Sequence, residues 1–180
     1  MKPTVLEGDV VWVNKLAYDL KVPFTTLHLA EWANPERGDI VVFFEPIHEQ
    51  RYVKRIVGLP GDVIELNDNQ LTLNGRPVEM KPIGSQMSEG SVRSEEILGG
   101  HRHAMALLPG KPAMRSFAPL TVPAGHYFVM GDNRDNSLDS RFIGTIERRR
   151  IIGRASGILA SADPEHYYRP RLERWCTRLQ

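Results

Sequence analysis

Short apolar runs recur along the chain behind glycine–aspartate pairs: Gly8-Asp9 leads into Val10 to Val13, Gly38-Asp39 into Ile40 to Phe44, and Gly61-Asp62 into Val63 to Leu66. A turn followed by β-branched or aromatic residues predicts a strand in each place. From Val63 to Glu79 the pattern reads as a meander, with Asn67-Asp68-Asn69 as one turn and Asn74-Gly75 as a two-residue hairpin turn, because both residues tolerate positive φ. A further strand is predicted at His126 to Met130, then a polar loop from Gly131 to Arg141, then a last long strand near Ile151 to Leu159. The pattern admits helix only at Asn14 to Leu20 and near the C-terminus. Lys81 to Leu120 is rich in Gly, Pro and Ser, with a hairpin turning at Gly99-Gly100, and its lack of clear periodicity predicts mobile loops. With 13 prolines and 15 glycines against so little helix, the chain is expected to be mainly β. The expected division is a β core at 1–66 and 121–160, a smaller, partly irregular β insertion lobe at 67–120, and a tail at 161–180 in which helix is allowed. The irregular spacing of the Gly-Asp pairs excludes an internal repeat.

Composition narrows the function classes. At 180 residues, 41% hydrophobic and 25% charged, the chain is long enough to bury a core. Lys+Arg of 23 against Asp+Glu of 22 gives no electrostatic case for a nucleic-acid partner or an acidic substrate. Cys176 stands alone and excludes an internal disulfide framework and a multi-cysteine metal site. The longest apolar run, Ile40 to Phe44, is far short of the ~20 residues that span a bilayer as a helix. His101 and His103 alternate as strand neighbours, but no third ligand accompanies them, so no metal or cofactor is expected and exposed polar residues are the simpler reading. Arg148-Arg149-Arg150, with Arg169, Arg171, Arg174 and Arg178, reads either as a surface for anionic lipid headgroups or as a solvated face paired with Glu147, Glu165 and Glu173.

Candidate chemistry lies in blocks far apart in the chain. Lys54 sits in an apolar strand with Tyr52 and Ile56 on its own face. If its amine faces the core, desolvation lowers its pKa and makes it available as a general base; if the head reaches solvent or a carboxylate, it is an ordinary lysine on a packed stem. The loop Gly131 to Arg141 holds Asn and Asp residues suited to tight turns, and a surface connection is one reading of it. The other rests on Ser137, Asp139 and Arg141, which in an extended stretch share one side. There a hydroxyl orients an amine, and an Asp/Arg pair braces the loop.

In order, these blocks resemble the family boxes of bacterial type I (leader) signal peptidases of the S26 peptidase family. The boxes run Ser-Met-x-Pro-Thr, of which Met1 to Thr4 are present; Arg-Gly-Asp-Ile-Val-Val-Phe, here Arg37 to Phe43; Tyr-x-Lys-Arg with Gly-Leu-Pro-Gly-Asp, here Tyr52 to Arg55 and Gly58 to Asp62; and Gly-Asp-Asn-Arg-Asp-Asn-Ser-x-Asp-Ser-Arg, here Gly131 to Arg141. The resemblance covers about Met1 to Leu66 and Val122 to Ala155 and reaches the intervening lobe only by position. It implies a signal-peptidase-like β fold and a serine endopeptidase that removes signal peptides from exported preproteins by a Ser/Lys dyad.

By that resemblance Lys54 is the general base and Ser137 holds its amine, while Asp139 and Arg141 form a supporting ion pair with Arg55 nearby. Met1, Val5, Val11, Val42, Tyr52 and Val53 line the substrate cleft, which takes small side chains at the first and third positions before the cut from a peptide added as a strand. The implied partners are preprotein signal peptides and the membrane surface, at the extracytoplasmic side of the bacterial cytoplasmic membrane, with no cofactor and no nucleic acid. The first box places the nucleophilic serine immediately before Met1. The expectation is therefore that the chain as given does not cleave, that an upstream segment carries the serine and a membrane anchor, and that Thr4, Ser137 and Ser140 do not substitute. A noncatalytic signal-peptide-binding module and another Ser/Lys peptidase, such as a conjugative-transfer processing enzyme, are the alternatives. A self-cleaving repressor is disfavoured because that class lacks the long Asp-Asn-Arg-Asp-Asn-Ser box.

Overall fold

A computed structural model describes residues 1–21, 28–83 and 90–179. Its strands are β1 (Asp9–Asn14), β2 (Asp19–Lys21), β3 (His28–Glu31), β4 (Ile40–Phe44), β5 (Arg51–Gly58), β6 (Val63–Asn67), β7 (Gln70–Leu73), β8 (Arg76–Pro77) and β9 (Met80–Pro82). They continue as β10 (Val92–Leu98), β11 (His101–Leu107), β12 (Phe117–Thr121) and β13 (His126–Met130), then a one-turn helix α1 (Ser140–Ile143), β14 (Ile146–Glu147), β15 (Ile151–Asp163), β16 (Arg169–Pro170) and β17 (Thr177–Arg178). The molecule is mainly β.

The main sheet runs β1-β15-β4-β5-β13-β14, with β16 and β17 also paired to β15. β4 and β5 pair antiparallel without a shift, from Ile40 opposite Arg55 to Phe44 opposite Arg51. Alternation along β5 therefore sends Tyr52, Lys54 and Ile56 to one face and Val53 and Arg55 to the other. Beneath the first face Ile56 joins Val41, Phe43, Tyr127, Val129 and Ile146 in a core against which Tyr52 packs. On the other face Val53 joins Ile40, Val42 and Ala155, with Met1, Val11, Val13, Ile152 and Leu179 packed around them.

The lobe between β5 and β13 holds two small sheets, β12-β6-β7-β8 and β11-β10-β9. Its turns follow backbone chemistry: Asn74 (φ 51°) and Gly75 (φ 74°) connect β7 to β8, and Gly99 (φ 60°) and Gly100 (φ 85°) connect β10 to β11. Adjacent positive φ values are what a tight hairpin turn matching the strand twist requires. The lobe is more regular than its sequence suggests, since β10 and β11 pair continuously from Val92 opposite Leu107 to Leu98 opposite His101. The charges of β10 hide that alternation: Arg93 and Glu95 lie on its outer face, but Glu96 is buried beside Ser94 and Leu98. The loops expected at 84–89 lie outside the described residues.

Two helix expectations are overturned. After β1, Asn14 Oδ1 accepts the Leu16 backbone N–H at 3.0 Å, and a turn rather than a helix leads into β2. A short amide side chain competes in this way for backbone donors, and Tyr18 is drawn into the core beside Val41 and Ile56. The C-terminal tail forms 3₁₀ turns at Pro164–His166 and Leu172–Arg174, with β16 and β17 between and after them, and no long helix. Its prolines interrupt helical bonding, and the length of β15 offers backbone partners instead.

Candidate active site

β5 and the loop after β13 build the site. Lys54 is half-buried in β5, with Nζ 5.6 Å from the centre of the Tyr52 ring. Burial pushes the amine below the ordinary lysine range, and the Arg141 charge pushes the same way, while Asp139 and Asp132 oppose it. Gly131 follows β13, and Ser137 fills the space beside its Cα: a methyl group there would lie 2.2 Å from Ser137 Oγ and 3.6 Å from Lys54 Nζ. The hydroxyl and the amine thus converge on one point that only a glycine leaves free. Ser137 Oγ is buried and completes no hydrogen bond. It lies near enough to Asp139 to help lower that carboxyl without a well-aligned bond to it.

Asp139 organises the loop. It caps α1 by accepting the Arg141 N–H, its Oδ2 accepts the Gly131 N–H at 3.0 Å, and the Arg141 guanidinium grips both its oxygens at 2.8 Å. Burial alone would raise this carboxyl, but Arg141 and the Gly131 N–H hold it below the usual aspartate range. The shared side expected for an extended stretch is not how these residues meet. Arg141 stands in the first turn of α1, and the cap brings its guanidinium back to Asp139.

Arg55 does not join that pair. Its guanidinium is fully buried against Asp132, with Nε to Oδ1 at 3.0 Å and Nη2 to Oδ2 at 2.9 Å, and Nη1 donates to the Gly38 carbonyl at 2.9 Å. The strand register decides this, because Met130 stands opposite Arg55 and Asp132 follows two residues later. Thr4 Oγ1 donates to the same Asp132 and so ties the N-terminal segment to the loop. Sequence reasoning passed over Asp132; its place in the Gly131 to Arg141 block was the available signal.

Met1, Val11, Val42 and Val53 come together in one apolar cluster. Tyr52 instead lies against Phe43, and Val5 is half-buried outside that cluster. The Met1 amine is depressed, first by burial and then by the Lys54 charge. His103 is buried beside Glu96 and not exposed, because β11 turns it inward. No group of metal-ligating side chains occurs among the described residues. The basic residues are largely paired: Arg148 with Asp19, Arg149 with Glu147, Arg150 with Glu49, Arg171 with Asp163 and Arg174 with Asp9. Cys176 is an exposed free thiol.

The family model described as signal peptidase, peptidase S26, matches residues 1–160. The chain belongs to this family. Signal peptidase I of Pseudomonas aeruginosa is 36% identical over 97% of this chain and 66% of its own length, and that of Bacillus licheniformis is 32% identical over 85% and 68%. The chain thus spans just under two thirds of the Pseudomonas relative. A solved signal peptidase I from Enterococcus faecalis aligns over 68% of this chain and 97% of its own, at 31% identity and a TM-score of 0.45. Among the described residues no helix is long and apolar enough to cross a membrane.

Proposed function

We propose that this signal peptidase family domain is the catalytic part of a serine endopeptidase that removes N-terminal signal peptides from exported preproteins, with Lys54 as general base. The observation that carries this reading is the convergence of a desolvated Lys54 amine and the Ser137 hydroxyl over Gly131. An amine whose proton affinity burial has lowered accepts the proton of a serine hydroxyl as that oxygen attacks the scissile carbonyl. It then returns the proton to the departing amine, leaving an acyl ester that water hydrolyses with the same base. Ser137 orients the amine, and the ion pairs Asp139–Arg141 and Arg55–Asp132 keep the loop in place. The attacking hydroxyl is that of the serine preceding Met-x-Pro-Thr in the family's first box, and the influence of the Lys54 charge on the Met1 amine supports this reading. The apolar cluster of Met1, Val11, Val42 and Val53 takes small side chains ahead of the cut. The reaction takes place at the extracytoplasmic face of the bacterial cytoplasmic membrane, where the surface patch of Trp12, Val10 and Leu159 faces outward.

The test compares chains carrying Ser or Ala ahead of Met1, with and without Lys54→Ala, on a peptide with alanine at the first and third positions before the cut. Only the Ser chain with Lys54 intact should cleave it. Equal cleavage by the Ser and Ala forms, or activity that survives Lys54→Ala, would refute the assignment; tight peptide binding without cleavage by any form would favour a binding module.

A further inference from the structure

Inside the insertion lobe lies a buried ionic cluster that the proposed mechanism leaves unused. Glu96 on β10 and Arg134 in the Gly131 to Arg141 loop have side chains only 1% exposed, and Arg134 Nη2 donates to Glu96 Oε2. His103 on β11 adds a third member, with Nε2 3.3 Å from the same oxygen. Burial pushes the Glu96 carboxyl up, but the charge and hydrogen bond of Arg134 together with His103 outweigh it and hold Glu96 below the usual glutamate range. A buried glutamate and a buried arginine, each costly alone, thus bridge two parts of the chain that the sequence places far apart.

The bridge leads to the site through a chain of hydrogen bonds. The Arg134 N–H donates to the Ala106 carbonyl at 3.0 Å, and the Ala106 N–H donates to the Asp132 carbonyl at 2.8 Å, so β11 is stitched to the loop on both sides of Asn133. The Arg134 carbonyl accepts Arg141 Nη2 at 2.6 Å, and Arg141 grips Asp139, which holds the Gly131 N–H beneath Ser137 and Lys54. Asp135 is bound to the lobe as well, by the Leu108 N–H at 2.8 Å and by Arg115.

We propose that Glu96 is a positioning residue for the Lys54–Ser137 site, acting through Arg134 to hold the Gly131 to Arg141 loop against β5. Its consequence for catalysis rests on the peptidase reading above; its consequence for the geometry of Lys54 does not. The lobe is then a structural half of the site, and the closure of the loop over the amine depends on a charge supplied from β10. The charged groups facing Lys54 are Asp139, Arg141, Asp132 and the Met1 amine, and a change at Glu96 removes none of them.

The experiment is an NMR titration of the Lys54 amine in the chain as it stands, with the signal assigned by its loss in Lys54→Met. Glu96→Gln keeps the shape and removes the charge. It should loosen the loop, admit water and raise the proton affinity of Lys54 about tenfold or more. Glu96→Asp, which keeps the charge, should return the affinity most of the way and serves if the Gln variant folds poorly. Leu71→Ala, in the lobe core and outside the Glu96–Arg134–His103 cluster, should lower the melting temperature without moving the titration. A Glu96→Gln chain whose Lys54 titrates as the parent does overturns the proposal, as does a Leu71→Ala chain that shifts Lys54 equally. With serine ahead of Met1, Glu96→Gln should cut turnover about tenfold or more while KM stays within about twofold. A shifted titration in a parent that never cleaves would uphold the positioning role and refute the peptidase reading instead.

Discussion

Replacing Gly131 by alanine adds one methyl group at the point where the two reactive side chains meet. Its Cβ would stand 2.2 Å from Ser137 Oγ and 2.7 Å from Ser137 Cβ, where ordinary contacts are about 3.5–4.0 Å. Ser137 must therefore retreat by about 1 Å or more, and α1 with Asp139 at its cap resists that movement. Gly131 has no left-handed φ, so alanine meets no backbone strain there and the whole effect is steric. Overpacking of this kind costs about 1–3 kcal/mol of stability. A 1 Å displacement of a group that orients the base lowers turnover by roughly 10²-fold. The assay is cleavage of a signal-peptide substrate by the chain with serine ahead of Met1, with melting curves recorded in parallel. Gly110→Ala, whose Cβ would meet open space, is the neutral control. Full turnover by Gly131→Ala, with a melting temperature matching the parent, would show that Ser137 and Lys54 do not share that point and would undo the geometric basis of the site.

Arg55→Ala would strand the Asp132 carboxylate in the core and should cost about 3–5 kcal/mol, measured by urea denaturation, so lost activity alone would not make Arg55 a chemical participant. Lys54→Met should raise the melting temperature while abolishing cleavage. The folded-state pKa of Lys54 lies below its unfolded value of 10.5, so folding carries a penalty that is full below the folded value and fades as pH rises from there to 10.5, and the gain should shrink over that range. Glu96 runs the other way: its pKa falls from 4.5 to about 2 on folding, so its stabilisation is complete above pH 4.5 and is lost as pH drops toward 2. The difference is worth roughly 3 kcal/mol, and Glu96→Gln should flatten the acid limb of stability against pH by about that amount. Gly8→Ala should destabilise strongly in thermal melts, because its Cβ would fall 1.9 Å from the Ala162 carbonyl oxygen at a φ of +88°.

Local chemistry made much of the fold readable. Asn74-Gly75 and Gly99-Gly100 announce their hairpins through positive φ, and the apolar runs at Ile40 and His126 become strands β4 and β13. The helix misread at Asn14 to Leu20 shows the limit of periodicity, since one asparagine side chain diverts the backbone and Tyr18 gains more by entering the core. In the site, Lys54 and Ser137 were visible as residues, but their meeting depends on a glycine whose vacant side no local pattern displays. The partner of Arg55 was not legible because Asp132 lies 77 residues further along the chain, and only the pairing of β5 with β13 brings the two together. Glu96 was invisible because a charge among apolar positions reads as a break in a strand until its counterion arrives from across the chain.

The unbroken pairing of β4 with β5 bears on more than rigidity. Lys54 and Arg55 are consecutive, one able to give up its proton and the other never doing so at accessible pH. A slip of one residue would exchange their places, presenting the pocket with a cation that cannot receive a proton and leaving Asp132 to a weaker partner. Mutations that loosen the pairing of β4 with β5 would therefore silence such an enzyme by misaddressing its side chains, with every functional group still present.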